Sequence, residues 1–289
     1  MNLSDSYTVR KILNKFGFQF SKLLGQNFIV DADVCPEMAL RCCDDQDSAI
    51  IEVGPGIGVL TVELAKRFKK VVSVEIDERL IPVLKYTTSE FANLKILNSD
   101  ILKIDLQKLI QNEFSGFKKI NVCANLPYYI TSDIIMYILE NDKINIDSLT
   151  LMLQKEAAER ICAKPGTRNS GAISLAVRYY GEPKILFEVN RECFMPVPNV
   201  DSCVIRIDLS KSASKKVENK NNFFKVVKGA YSQRRKNLLN ALSSYFSVDK
   251  SFVKMCLNKA SVNSSFRAEQ VDFEGFARIA AVMFDKDVK

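Results

Sequence analysis

The sequence contains no histidine, and this absence limits the chemistry that the chain can perform. Catalytic triads, proton relays and metal cages that depend on histidine are excluded. The chain has 8 cysteines, but no two of them stand at C-x-x-C spacing, so the sequence predicts no zinc or other metal site. Cys123 and Cys203 lie inside apolar runs, as small buried side chains do in proteins of a reducing compartment.

Long apolar runs are also missing, since none approaches the ~18 residues that a membrane helix needs. The first ten residues, MNLSDSYTVR, lack the basic-then-apolar layout of a signal peptide. We therefore expect a cytoplasmic protein, and because no feature indicates an oligomer we expect a monomer. The chain has 289 residues, of which 47% are hydrophobic and 26% charged, which is enough for one large domain and a smaller one.

Positive charge is in excess, with a formal net charge of +7. Such an excess is typical of proteins with polyanionic partners, although a well-solvated surface produces the same balance. The lysines and arginines concentrate in Lys11–Lys22 and again in Lys211–Lys236. Their clustering is therefore more informative than their total.

The chain divides into a lead segment, a long central region and a C-terminal region. Residues 1 to about 30 interleave phenylalanines with lysines, and from about 31 to 208 short β-branched runs alternate with stretches of helical spacing. This alternation predicts βαβ units and a parallel sheet. The predicted strands are Ala49–Val53, Val71–Ile76, Leu94–Leu97, Ile120–Ala124, Leu149–Leu153, Ile185–Val189 and Ser202–Ile207. A proline-rich turn separates the last two, so we expect an antiparallel pair at one edge of the sheet.

The C-terminal region begins with a polar segment, residues 209–222, which has the composition of a linker. Helical periodicity follows in Phe223–Ala230, Asn237–Tyr245, Phe252–Lys259 and Phe273–Met283. We therefore predict a first domain of residues 1–208, which includes the lead segment, and a small helical domain of residues 209–289.

A glycine-rich turn follows the first predicted strand of the central region, in the sequence IEVGPGIG from Ile51 to Gly58. Glycines let the backbone adopt positive φ and approach a ligand closely, whereas a lone Gly-x-Gly is often a plain tight turn. The dinucleotide pattern G-x-G-x-x-G would need a third glycine at Val59. The observed spacing, with Gly54 and Gly56 after an acidic residue, favours S-adenosylmethionine instead.

Acidic residues end the next two predicted strands. Glu75 stands about twenty residues after Gly54, where a carboxylate can accept both hydroxyls of a ribose. Asp100 follows the third strand and can accept a hydrogen bond from an adenine amino group, although it can equally cap the helix that begins near Ile101.

The sequence Asn125-Leu126-Pro127-Tyr128 directly follows the fourth predicted strand. An amine conjugated to a base ring is a poor nucleophile, because its lone pair is delocalised into the ring. The Asn125 side-chain carbonyl and the Leu126 backbone carbonyl can hold the hydrogens of such an amine. Pro127 fixes the turn and Tyr128 offers a ring for stacking, although an isolated turn of this kind is often structural.

With these motifs together, the chain resembles the KsgA-type small-subunit rRNA adenine dimethyltransferases over nearly its whole length. The matching segments are LGQNF at 24–28, Glu52–Gly58, Glu75, Asp100, Asn125–Tyr128, LQKE at 153–156, FMPVPNVDS at 194–202, and Arg234-Arg235-Lys236 with Leu238 and Leu239. Each segment alone is weakly specific, whereas the combination is highly specific.

The resemblance implies a role for each matching residue. The expected cofactor residues are Asn27, Ile29, Gly54, Gly56, Glu75, Asp100 and Asn125. The expected catalytic residues are Asn125, Leu126, Pro127, Tyr128 and Phe194, with Phe194 facing Tyr128 across the target base unless it is a core phenylalanine. The expected RNA-binding residues are Lys22, Arg234, Arg235 and Lys236. Ile29 replaces a more usual leucine and Tyr129 a more usual polar residue, and neither change removes a polar group that the chemistry needs.

The implied fold is an α/β class I S-adenosylmethionine-dependent methyltransferase, with a Rossmann-like seven-stranded sheet, helices on both faces and a small all-α C-terminal domain. The implied reaction is the transfer of two methyl groups to N6 of each of two adjacent adenines near the 3′ end of small-subunit rRNA. The bases must leave their stack, which is easiest in a single-stranded loop. Two alternatives stay open: an Erm-type methyltransferase of large-subunit rRNA that confers antibiotic resistance, and a non-catalytic ribosome assembly factor.

The proposed chemistry requires no general base, because the amine is neutral before attack and loses its proton readily once methylated. Ordinary carboxylates titrate near pH ~4, so no group with an assigned role in the chemistry changes charge between about pH 6 and 8. We therefore expect a nearly flat single-turnover rate over that range at saturating RNA and cofactor.

Overall fold

The predicted strands form one seven-stranded sheet in the computed structural model, which describes residues 2–19, 26–43, 45, 47–141, 143–233 and 235–285. The strands of the molecule are β1 (Phe28–Ile29), β2 (Ala49–Val53), β3 (Lys70–Glu75), β4 (Leu94–Asn98), β5 (Ile120–Asn125), β6 (Ser148–Gln154), β7 (Glu182–Val189), β8 (Phe194–Met195) and β9 (Ser202–Asp208). The order in the large sheet is β4-β3-β2-β5-β6-β9-β7, and β1 pairs with β8 in a separate antiparallel ladder.

Strands β2 to β6 run parallel, and β9 lies antiparallel to β6. Strands β2 and β5 are neighbours although β3 and β4 come between them in sequence, so the strand order reverses there. Ligands of open parallel sheets bind beyond the carboxyl ends of the strands at such a reversal. The topology therefore draws attention to the segments that follow β2, β3 and β5.

Helices alternate with the strands of the sheet and form the C-terminal region. They are α1 (Ser6–Lys15), α2 (Val34–Cys42), α3 (Val59–Arg67), α4 (Ile81–Thr87), α5 (Leu106–Phe114), α6 (Thr131–Leu139), α7 (Lys155–Cys162), α8 (Ala172–Tyr180), α9 (Lys220–Tyr231), α10 (Leu238–Phe246), α11 (Lys250–Lys259) and α12 (Phe273–Met283). The prediction of a seven-stranded α/β sheet with a helical C-terminal region is confirmed. Across the part of the chain that the structure describes, no helix is long and apolar enough to cross a membrane.

The lead segment contains a helix that the sequence analysis did not predict. Asp5 caps α1, since its carboxylate accepts hydrogen bonds from the backbone N–H groups of Tyr7 and Thr8. Val9, Ile12 and Leu13 form the buried side of the helix and join the core beside the sheet. The opposite side of the helix faces solvent.

Two compact units form, one from residues 1–158 and 184–210 and the other from residues 159–183 and 211–289. The sequence analysis placed residues 159–183 in the first domain. Their Leu175 is fully buried in the core of the second unit, with Phe223 and Leu242. Local patterns indicate a helix here, but the core that the helix joins is set by residues far along the chain.

The polar segment 209–222 is more ordered than a linker. Two single-turn 3₁₀ helices, Leu209–Lys211 and Ser214–Lys216, lie within it, and α9 already begins at Lys220. The Asn219 side chain caps α9 by accepting from the backbone N–H of Asn222. Short polar side chains thus supply hydrogen bonds here, and Ala213 and Val217 pack against the core of the second unit.

Candidate functional site

The turn after β2 brings the backbone close to its neighbours. Gly56 and Gly58 have φ of +59° and +94°, in the left-handed region that favours glycine. A Cβ at Gly56 would lie 3.0 Å from Cε1 of Phe28, and a Cβ at Gly58 would lie 2.9 Å from Cδ1 of Leu84. Both positions therefore require glycine for conformation and for space.

Glu75 ends β3 and is buried beside this turn, with 4% of its surface exposed. Its carboxylate accepts the backbone N–H of Gly56 at 3.0 Å and that of Asp77 at 2.9 Å. Burial raises the pKa of Glu75, and these two hydrogen bonds oppose the rise. Each carboxylate oxygen keeps a further lone pair, so the fixed carboxylate can accept two more donors.

Asp77 anchors the residues that lead into β1. It accepts the side-chain amide of Gln26 at 2.8 Å and two guanidinium N–H groups of Arg79, at 2.8 and 2.6 Å. The hydrogen bonds from Arg79 hold the pKa of Asp77 below its usual value. No role for Asp77 or Gln26 follows from the sequence, because the hydrogen bond between them forms only in the tertiary structure.

Asn125 ends β5, and Leu126 and Pro127 follow it in the turn before α6. The Asn125 amide group donates weakly to the Asn27 carbonyl, with the atoms 3.5 Å apart, and the Leu126 N–H donates to the Met152 carbonyl at 3.0 Å. Within the described residues, neither the Asn125 side-chain oxygen nor the Leu126 carbonyl accepts a hydrogen bond. The turn therefore presents two acceptors with unused capacity.

Tyr128 and Thr131 hold this turn in place. The Tyr128 hydroxyl lies 3.1 Å from the Ser202 hydroxyl, and the Thr131 hydroxyl donates to the Pro127 carbonyl at 3.0 Å. The first bond ties the turn to β9, and the second ties it to the first residue of α6. The Tyr128 hydroxyl is thus held by β9, and the backbone directly before Tyr128 is held by α6.

One cavity gathers most of the predicted site. Nine predicted residues line it: Asn27, Ile29, Gly54, Gly56, Glu75, Asn125, Leu126, Pro127 and Tyr128. They come from four separate segments, which lie around the ends of β2, β3 and β5 and in the lead into β1.

Two predicted residues lie apart from this lining. Phe194 is only 2% exposed and pairs with Ile29 across the β1–β8 ladder, so its ring belongs to the core in this conformation. Asp100 caps a 3₁₀ helix by accepting the N–H of Leu102 at 3.0 Å, which is the structural alternative considered from the sequence. Their assigned roles stay predictions.

Of the four predicted RNA-binding residues, Lys22 and Arg234 lie outside the described residues. Arg235 and Lys236 are exposed in the turn before α10. Within the ranges that the structure describes, no group of His, Cys, Asp and Glu side chains is placed to hold a metal ion.

Two further residues of interest received no role of their own from the sequence. Ile76 lines the cavity and is 53% exposed, which is unusual for an isoleucine directly after a buried strand. Glu52 is 1% exposed within β2 and accepts a 2.5 Å hydrogen bond from the Ser73 hydroxyl. Burial raises the pKa of Glu52 to about 7. The sequence signal that could have identified Glu52 is the presence of a charged residue inside the apolar run AIIEV.

Comparisons with known proteins agree with the geometry. The model of the family described as "Ribosomal RNA adenine dimethylase" matches residues 17–284. The chain is 43% identical over 279 residues to "Ribosomal RNA small subunit methyltransferase A" of Alkaliphilus oremlandii, covering 96% of each chain. It is 40% identical to the protein of the same name from Clostridioides difficile, covering 98% of each.

Solved structures show the same fold at lower identity. A "dimethyladenosine transferase from Plasmodium falciparum" aligns with a TM-score of 0.71 at 22% identity, covering 87% of this chain and 95% of that one. The "23S rRNA methyltransferase ErmE" aligns with a TM-score of 0.68 at 24% identity, covering 89% and 100%. At these identities the likeness establishes the architecture alone.

Proposed function

The chain belongs to the ribosomal RNA adenine dimethylase family, and from this premise we propose that it dimethylates N6 of two adjacent adenines near the 3′ end of small-subunit rRNA, using S-adenosylmethionine. The relatives named as small-subunit methyltransferases, at about 40% identity over nearly the full chain, support the choice of small-subunit RNA. A cytoplasmic location and a monomeric state stay predictions.

The residues around the glycine turn fit the proposed cofactor. The Glu75 carboxylate is held by two backbone donors and has lone pairs left for the two hydroxyls of a ribose. The exposed face of Ile76 offers apolar contact to a flat base, and the glycines keep the turn free of side chains. When bound, the cofactor supplies a methyl group that its sulfonium charge makes electrophilic.

The observation that carries the proposal is the pair of unused acceptors at Asn125 and Leu126. An adenine amine has two N–H bonds and a lone pair that is conjugated with the ring. Two acceptors at a fixed angle can hold these hydrogens and turn the lone pair out of conjugation. Orientation of this kind, made before the reaction, lowers the barrier without a general base.

A flat aromatic ring beside these acceptors completes the substrate end of the site. Stacking on an aromatic side chain stabilises a base that has left its helix by ~1–3 kcal/mol. Tyr128 supplies such a ring, and its bond to Ser202 limits the ring's rotation. We therefore assign Tyr128 to base stacking, and Pro127 to the geometry of the turn.

A tritiated-methyl transfer assay on unmethylated small and large ribosomal subunits tests the proposal. We expect label in two adjacent adenines of the small-subunit RNA, with up to two methyl groups on each. Label in the large subunit alone would favour the Erm-type alternative. Tight binding to small subunits without transfer would favour a non-catalytic assembly factor.

A further inference from the structure

Helix α1 carries a cationic outer side that the proposed chemistry does not use. Tyr7, Arg10, Lys11 and Lys15 lie opposite the buried side of the helix, and all are exposed, Tyr7 by 73%. The family model begins at residue 17, so this helix lies outside the matched range.

Helix α4 extends this surface. The Lys15 ammonium lies 3.7 Å from the centre of the Tyr86 ring, and the Phe16 and Tyr86 rings lie 5.5 Å apart. Tyr86 and its neighbour Lys85 are exposed. We call the exposed side chains of Tyr7, Arg10, Lys11, Lys15, Lys85 and Tyr86 the α1–α4 face.

The two helices that form the α1–α4 face carry no acidic side chain to compensate its cations. Neither SYTVRKILNK (α1) nor IPVLKYT (α4) contains an acidic residue. The nearest acids in sequence lie outside both helices, and Asp5 is engaged in capping α1. None of the four cations forms an ion pair with a described residue.

Elsewhere in the same unit, exposed cations commonly have partners. Lys66 pairs with Glu63 at 2.7 Å, and Lys69 pairs with Asp47 at 2.8 Å. Four unpaired cations on two adjacent helices repel one another at low salt, so the arrangement costs stability that an anionic ligand would restore. This contrast distinguishes the α1–α4 face from an ordinary solvated surface.

A chain of contacts connects the face to the candidate active site. The residues after α1 lead to Phe18, whose ring lies 6.1 Å from the Phe28 ring and 5.1 Å from the Arg79 guanidinium carbon. Arg79 bonds to Asp77, two residues after Glu75. The helix is therefore fixed relative to the cavity and can help to set the approach of a large substrate.

We propose that the α1–α4 face binds the phosphate backbone of the substrate RNA outside the target loop. The inference rests on the proposed function for the identity of the RNA, whereas the chemistry recognised is that of a polyanionic chain. Lysine and arginine bind phosphates without regard to sequence and release counterions as they do so. The exposed Tyr7 ring can stack on an unpaired base beside the contacted phosphates.

The test uses the full-length protein with Arg10→Ala/Lys11→Ala, two substitutions that suit a helix because alanine favours it. The matched control is Lys118→Ala/Lys143→Ala, which removes two exposed cations that lie before β5 and β6, at the opposite ends of those strands from the cavity. Binding is measured by fluorescence anisotropy from 50 to 200 mM salt. The probes are protein-free small-subunit rRNA, intact small subunits and a labelled hairpin of arbitrary sequence.

For the α1–α4 variant we expect the slope of log affinity against log salt to fall by about 1.4 to 1.8, and affinity at low salt to fall at least about tenfold on both RNAs. The control should keep the wild-type slope. An unchanged slope in the α1–α4 variant would overturn the proposal, as would an equal loss in both variants. If the α1–α4 variant binds free RNA normally but binds intact subunits more weakly, the face binds a ribosomal protein. That result would also overturn the proposal.

Methyl transfer at saturating RNA is measured in parallel and should stay near the wild-type rate in the α1–α4 variant. If the wild-type protein transfers no methyl group to small-subunit RNA, the proposed function fails. The slopes on the arbitrary hairpin still report on the α1–α4 face in that case. The two failures are therefore distinguishable.

Discussion

At the scale of single residues, the proposed mechanism gives Asn125 the most demanding role, because one side-chain oxygen would have to orient the reacting amine. We predict that Asn125→Ala lowers the single-turnover methylation rate by 10²- to 10³-fold, since losing one oriented acceptor costs ~3 kcal/mol at the transition state. Cofactor affinity, measured by calorimetry, should weaken only modestly. Asn112→Ala, on the exposed side of α5, is the control. Wild-type turnover in Asn125→Ala would contradict the mechanism.

Glu52 makes stability depend on pH. Its pKa is raised by burial from an ordinary 4.5 to about 7, so the folded protein holds a proton that the unfolded chain releases. The stability that this proton contributes is complete below about pH 4.5 and is lost as pH rises through 7. We predict that Glu52→Gln and the wild type unfold at similar temperatures at pH 5. At pH 8 the variant should be more stable by up to roughly 3 kcal/mol.

Thermal unfolding at both pH values checks this prediction. Ser73→Ala serves as the comparison, because it removes the hydroxyl that donates to Glu52 but leaves the carboxyl in place. An equal melting-temperature difference between Glu52→Gln and wild type at the two pH values would refute the assignment. Glu52 is not among the residues lining the cavity, so the expectation of a flat methylation rate at saturating cofactor stands as a separate prediction.

Two substitutions at Phe194 can show whether its ring stacks on the target base or only packs in the core. Truncating a fully buried phenylalanine to alanine costs about 3–5 kcal/mol through the cavity it leaves, so Phe194→Ala should lower the melting temperature markedly. Phe194→Leu keeps most of the volume and should fold well. If the ring turns out to stack on the target base, Phe194→Leu will keep its stability and lose methylation. If the ring only packs, both properties will be retained.

At the scale of elements, the turn between β2 and α3 is constrained both in backbone conformation and in space. We predict that Gly58→Ala destabilises the protein by at least about 1–2 kcal/mol, because φ of +94° is unfavourable for alanine and its Cβ would meet Leu84 and Thr87. Gly116→Ala is the control, since a Cβ there would meet nothing within 4 Å. Urea unfolding of the two variants makes the comparison, and equal midpoints would count against the constraint.

Much of the element pattern could be predicted from the sequence. Each predicted strand overlaps an observed one, because β-branched runs between turn residues are a local signal. The sequence also predicts that Gly54, Gly56 and Asn125 lie at one site, because each stands at or just after the end of a predicted strand. Strands β1 and β8 were not predictable, because two-residue strands have no periodicity and exist only through their mutual pairing. The hydrogen bond between Gln26 and Asp77 likewise depends on tertiary structure alone.

At the scale of the whole molecule, cations on the second unit are expected to contribute to binding of the ribosomal particle. We predict that replacing Arg234, Arg235 and Lys236 with alanine weakens binding to small subunits and lowers its salt slope by up to about 2 to 3. Cofactor affinity should be unchanged. Lys250→Ala/Lys254→Ala, on the exposed side of α11, is the control. If the triple variant keeps the wild-type salt slope, these cations do not contact RNA phosphates and are only solvated side chains near the start of a helix.

The β1–β8 ladder also sets an order of events during synthesis. Asn27 and Ile29, on one wall of the cavity, are made early, but Ile29 obtains its strand partner only when Phe194 has emerged. Pairing across such a long stretch of chain is slow, because the entropy of loop closure must be overcome first. The nascent chain therefore completes this wall of the cavity late, after β2 to β6 have been synthesised. A growing chain that stops short of residue 194 contains β2 to β6 but lacks both the partner of β1 and the strand β9 that joins β7 to the sheet.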